Sequence, residues 1–144
     1  MPTVYTYYPI ELLPKVLDIV WCLFPIHTDP NNPGPVPPRP VLVRRARMDS
    51  TTMKGLLEVA YGTTNLKTGL RPLDLRITNF EDLAEIGLPQ ATRFDLDRTI
   101  ELPWCKEFFA PYKGYSTILV GKLNTKQKLR LQAIRQRRIK AGRK

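Results

Sequence analysis

Seven of the chain's 14 prolines fall between Pro25 and Pro40, and this cluster limits the folds open to the sequence more than any other feature. Proline fixes φ and has no amide donor, so the segment can neither run as helix nor join a sheet interior. With Asp29, Asn31, Asn32 and Gly34 interspersed it reads as a long, stiff, exposed loop, and loops beyond about 12 residues often carry function. The flanks are apolar. Val16–Phe24 (VLDIVWCLF) is interrupted only by Asp18, and Pro40–Arg44 (PVLVR) follows the loop; both read as strands, the first buried.

Further strands are expected at Leu56–Tyr61 (LLEVAY), after a polar turn at 49–55, and at Leu73–Ile77 (LDLRI), where apolar and polar residues alternate. Asn79 caps a short helix that stops at Gly87. Ala91–Asp95 and Asp97–Leu102 give two more short strand segments, and Tyr115–Leu123 leads into the tail. There Asn124 and Gln127 resemble a capping box, and the pairs Leu129/Ala133 and Leu131/Ile134 predict a helix that frays near Gly142. The first ten residues read as an irregular lead-in that packs an aromatic or two on the body. The expected fold is mainly β: a small, strongly bent barrel with one inserted helix and one terminal helix. Its division is a barrel domain, 1–123, and a basic helical tail, 124–144.

At 144 residues and 42% hydrophobic content the chain supports one core. It has neither a membrane-length apolar run nor a secretion signal, so a cytoplasmic protein without a membrane partner is expected. Cys22 and Cys105 then read as reduced, buried thiols. With one histidine and no cysteine cluster, neither a metal site nor a cofactor is expected. The net charge of +10 is confined to the end of the chain: residues 1–121 hold 13 basic and 13 acidic residues, and 122–144 hold 10 basic and none acidic. Such a tail is an electrostatic footprint for a polyanion, and equally describes a solvated helix. Its candidate nucleic-acid contacts are Lys126, Lys128, Arg130, Arg135, Arg137 and Arg138.

RNA cleavage by internal attack needs a base near the 2′-hydroxyl, positive charge at the phosphate and a proton for the departing oxygen. The residues expected to converge for this are Arg39, Thr63 and Thr64, and Arg93, Asp95 and Arg98 in RFDLDR. On a strand Arg93, Asp95 and Asp97 share a face, with a guanidinium beside a carboxylate. Each has a plainer reading: an Arg-x-Asp pair as a surface ion pair, Gly62-Thr63-Thr64-Asn65 as turn chemistry, His27 as a solvated loop residue, and Trp21 and Trp104 as core.

In order along the chain, Asp18-Ile19-Val20-Trp21, Phe24-Pro25, Arg39-Pro40-Val41-Leu42-Val43, Val59-Ala60-Tyr61-Gly62-Thr63-Thr64, Thr92-Arg93-Phe94-Asp95 and Arg98-Thr99-Ile100 resemble the PemK/MazF toxins of type II toxin–antitoxin systems. The resemblance spans roughly Val16 to Leu123. It departs from the family at Leu17, where the family has glycine, at Pro38, and in lacking a Gly-x-Glu-Gln piece in the loop. It implies an SH3-like barrel that dimerises and lays single-stranded RNA across the dimer groove. Cleavage would be metal-independent, by attack of the 2′-hydroxyl, leaving a cyclic phosphate and a 5′-hydroxyl. Carried over, Arg39 and Thr63 contact the phosphate, Asp95 is the general base, Arg93 the acid or charge stabiliser, and His27 a further phosphate contact. An acidic antitoxin segment would occupy the same groove.

Two other classes fit less of the sequence. One is a catalytically inactive barrel that binds nucleic acid or ribosomes through its tail. The other is a CcdB-like gyrase poison, which works through a tryptophan-containing C-terminal end that this chain lacks.

Overall fold

The computed structural model describes residues 4–25, 37–67 and 73–142. The elements run β1 (Asp18–Cys22), β2 (Arg39–Met48), β3 (Gly55–Thr63), β4 (Leu75–Ile77), α1 (Phe80–Ile86), β5 (Thr92–Pro103), β6 (Leu119–Lys122) and α2 (Thr125–Lys140). The strands form one antiparallel sheet in the order β4-β5-β3-β2-β1-β6, curled into a half-barrel. The mainly β architecture with two helices is thus as expected.

Both faces of the sheet are covered, which is why β1 is apolar after Asp18: all five of its residues are buried. On one face Ile19, Leu42, Leu75 and Phe94 pack with Ile86 of α1 and with Leu131 and Ile134 of α2. On the other, Val20, Val41, Leu57 and Leu102 meet Trp104 and Phe109, with Tyr8 and Leu13 of the lead-in against them. The lead-in is tied down as an aromatic strap. The Tyr8 hydroxyl donates to the Phe109 carbonyl at 2.7 Å, its ring centre lies 4.6 Å from that of Trp104, and Tyr7 bridges to Cys105.

Local signals explain the helix ends. The Asn79 side chain accepts from the amides of Glu81 and Asp82, and Gly87 closes α1 at φ 101°, a left-handed position suited to glycine. Asn124 caps α2 by accepting from the Gln127 amide at 2.9 Å, and Ala141 ends the helix just before Gly142. Of the two apolar pairs expected in the tail, Leu131 and Ile134 enter the core, whereas Leu129 points outward and is 61% exposed. The start of α2 is also fastened to α1, because Asp82 accepts from Asn124 at 3.0 Å and from Gln127 at 2.9 Å and pairs with Lys126 at 3.1 Å. α2 is therefore packed on the body.

The two strand segments expected around Asp95 and Asp97 form a single strand, β5, with a bulge inside it. Ala60 faces Thr99 and the next residue, Tyr61, faces Asp95, so Leu96, Asp97 and Arg98 loop out between those pairings. Cys22 and Cys105 are free and buried, and burial pushes both thiols above their ordinary range. Among the described residues no helix is long and apolar enough to cross a membrane.

Candidate functional site

The last residues of β1 and β3 and the first of β2 and β5 meet at one end of the sheet. The contact between β3 and β2 there is close: a Cβ on Gly62 would lie 1.9 Å from the Pro40 carbonyl oxygen, so only glycine fits. Just inside this end, alternation along β3 and β5 puts Tyr61, Thr63, Arg93 and Asp95 on one face, with Tyr61 opposite Asp95 and Thr63 opposite Arg93. Two further cations converge on Tyr61. The Arg39 guanidinium lies 4.9 Å from the ring centre, and its Nη1 donates to the Tyr61 hydroxyl. Arg98, returned towards β3 by the bulge, lies 4.8 Å from the same centre.

These groups differ in what they are free to do. Arg93 and Asp74 are a buried ion pair at 3.0 Å, with side chains 6% and 1% exposed. Arg93 Nε also donates to the Asn65 carbonyl at 3.3 Å, holding the turn after β3. Arg93 thus shares a face with Asp95, as expected, while its ion pair reaches across to Asp74 near β4. Asp95 is buried, and one of its carboxylate oxygens accepts from the Asp97 amide at 3.0 Å. Thr63 is half-buried and accepts from the Asn65 amide at 3.1 Å, whereas Thr64 and Arg98 are exposed. Arg39 is half-buried, and its Nε is buried without a hydrogen-bond partner. Two guanidiniums thus lie within 5 Å of the centre of one aromatic ring, with the Asp95 carboxylate on the same face.

A cleft of about 440 Å³ opens beside the cluster, and Arg39, Thr63 and Thr64 are on its wall. Its floor and rim are aromatic: Trp21 is buried, while Tyr112 and Tyr115 over it are 39% and 45% exposed.

The bulge also separates residues that the sequence reading put on one face. Asp97 is exposed, and its carboxylate accepts from Arg138 of α2 at 2.8 Å. The Arg138 side chain, 10% exposed, is therefore an anchor of the tail. Lys126 is paired with Asp82, and Arg130 donates to the Arg76 carbonyl and the Gln127 side chain, both at 2.6 Å. Lys128, Arg135 and Arg137 lie exposed along α2. His27 falls outside the described residues.

Of the residues named from sequence, Arg39, Thr63, Thr64, Arg93, Asp95 and Arg98 therefore gather at one end of the sheet. Tyr61, around which they are arranged, was not among them. Its signal was available, since it stands two residues before Thr63 on a strand. Among the described residues no cluster of three or more His, Cys, Asp or Glu forms a metal site. No protein-family model matches the chain, and no curated protein matches it.

Proposed function

We propose that this protein is a metal-independent endoribonuclease that cuts single-stranded RNA, a toxin of the PemK/MazF kind built on an SH3-like barrel. The observation that carries the reading is the gathering of Arg39, Thr63, Asp95 and Arg98 about Tyr61 from three separate strands. Leu17 adds support. It stands where the family has glycine, and its φ of 74° lies in the left-handed region that glycine tolerates best.

In this reading the scissile phosphate sits between Arg39 and Arg98, with Thr63 donating to a non-bridging oxygen. Asp95 takes the proton of the 2′-hydroxyl as that oxygen attacks phosphorus. The bond from phosphorus to the 5′-oxygen breaks, leaving a cyclic phosphate, and the departing oxygen takes the phenolic proton of Tyr61. That hydroxyl accepts from Arg39, which leaves its own O–H available to donate. Arg93, committed to Asp74, holds the turn carrying Thr63 and Asn65 and is a positioning residue. Exposed Lys128, Arg135 and Arg137 add general attraction for the RNA chain. A second copy of the chain and an acidic antitoxin segment are the protein partners.

The test is incubation of the full-length protein with single-stranded RNA in excess chelator, followed by end-group analysis. Cyclic phosphate and 5′-hydroxyl ends are expected, and RNA with 2′-deoxy sugars should survive. RNA bound but left intact would instead favour the catalytically inactive nucleic-acid-binding barrel.

A further inference from the structure

The cleft beside the cationic cluster has a composition that phosphate binding does not need. Trp21 and Tyr112 are stacked, with ring centres 5.2 Å apart and planes at 28°, and Tyr115 lies tilted against Trp21 at 5.1 Å. Both tyrosines keep a substantial part of their surface in solvent. The lining also includes the polar Thr64, Asn65 and Gln90. Arg39 and Thr63 belong both to this lining and to the cluster about Tyr61.

We infer that the cleft is a nucleobase subsite. It takes one unpaired base of the RNA strand, from a nucleotide adjoining the phosphate held by Arg39. Stacking on half-exposed aromatic rings beside guanidiniums is how proteins hold splayed single-stranded bases. At about 440 Å³ the cleft is in the size range of sites that enclose small ligands. The tyrosine rings supply a stacking surface that suits any base, and the side-chain amide of Gln90 with the hydroxyl of Thr64 reads the base edge. The cleft therefore determines which nucleotide flanks the cut. The inference rests on the RNA reading above and adds to it the part of the molecule that selects sequence.

The experiment uses single-stranded oligonucleotides with 2′-fluoro sugars, which lack the attacking hydroxyl, so binding is measured without cleavage. In one series a single abasic site is moved along the strand, and each oligonucleotide is titrated against wild type, Tyr112→Ala, Tyr115→Ala and Arg39→Ala. One position should prove sensitive, with the abasic site weakening wild-type binding roughly 10–100-fold, as expected for loss of one stacked base. Tyr112→Ala and Tyr115→Ala should weaken binding of the intact strand and lose that sensitivity. Because both tyrosines are surface residues, circular dichroism should report an unchanged fold. If the tyrosine variants bind intact and abasic strands as wild type does while Arg39→Ala binds weakly, the base subsite is overturned and the phosphate site stands. No binding of any strand by wild type would overturn both.

Discussion

Removing the guanidinium at position 93 should unfold the protein more readily rather than simply stop its chemistry. In Arg93→Met the Asp74 carboxylate, with its side chain 1% exposed, loses the guanidinium paired with it at 3.0 Å. Breaking a buried pair from one side costs about 3–5 kcal/mol. At roughly 3 °C per kcal/mol for a chain of this size, the midpoint of thermal unfolding should fall by roughly 10–15 °C. The double variant Arg93→Met/Asp74→Leu removes both charges and should recover most of that loss. Tryptophan fluorescence can follow the transition, since Trp21 and Trp104 are both buried. Arg98→Ala is the contrast: Arg98 is exposed, so its loss should leave the melting midpoint nearly unchanged while weakening RNA binding. An Arg93→Met protein that melted with wild type yet failed to cut RNA would refute the reasoning and make Arg93 a group that acts on substrate.

Other consequences are open to measurement. Tyr61→Phe keeps the ring between Arg39 and Arg98 but removes the hydroxyl, so cleavage should slow by roughly 10²–10⁴-fold with little change in affinity; an unchanged rate would assign the leaving-group proton elsewhere. Replacing Lys128, Arg135 and Arg137 by Gln should lower the slope of log affinity against log salt by up to roughly 0.7 per lost phosphate contact, and an unchanged slope would leave α2 no part in binding. Leu17→Gly should alter stability by less than about 1 kcal/mol, because relief of a left-handed backbone offsets the loss of a half-buried side chain; urea titration checks this. The Asp82 carboxyl is held below the usual carboxylate range, first by the Asn124 amide and then by Lys126 and Gln127. Its contribution to anchoring α2 is thus present above about pH 4, the ordinary carboxylate range, and is lost as pH falls through the lowered value. Acid titration of Asp82→Asn should lack that component.

Much of the fold is legible from the sequence because it rests on local pattern. The apolar run around Asp18–Cys22, the alternation in Leu73–Ile77 and the caps at Asn79 and Asn124 each state their own structure, and the fold has strands at Asp18–Cys22 and Leu75–Ile77 and helix starts after the two caps. What escapes is decided between distant segments. The bulge at Leu96, Asp97 and Arg98 depends on how β5 registers with β3, and a strand read alone alternates without interruption, which is why Asp97 was expected beside Arg93 and Asp95. Arg93 also pairs with Asp74, 19 residues earlier, which the motif gives no reason to single out. In the tail, Arg138 looks like any other surface cation until Asp97 is seen against it. The candidate site is readable as a set of residue types; its centre, Tyr61, has only its spacing to Thr63 as a signal, and a tyrosine in a strand reads first as packing.

The most direct trial of the account is a single-turnover comparison on one RNA oligonucleotide in chelator, with wild type and Asp95→Asn protein both shown to bind it. Wild type should cut the strand and the variant should lose nearly all of the rate at equal occupancy. Equal cutting by the two proteins would contradict the role given to Asp95, and an intact strand in both would leave a receptor for RNA without a reaction.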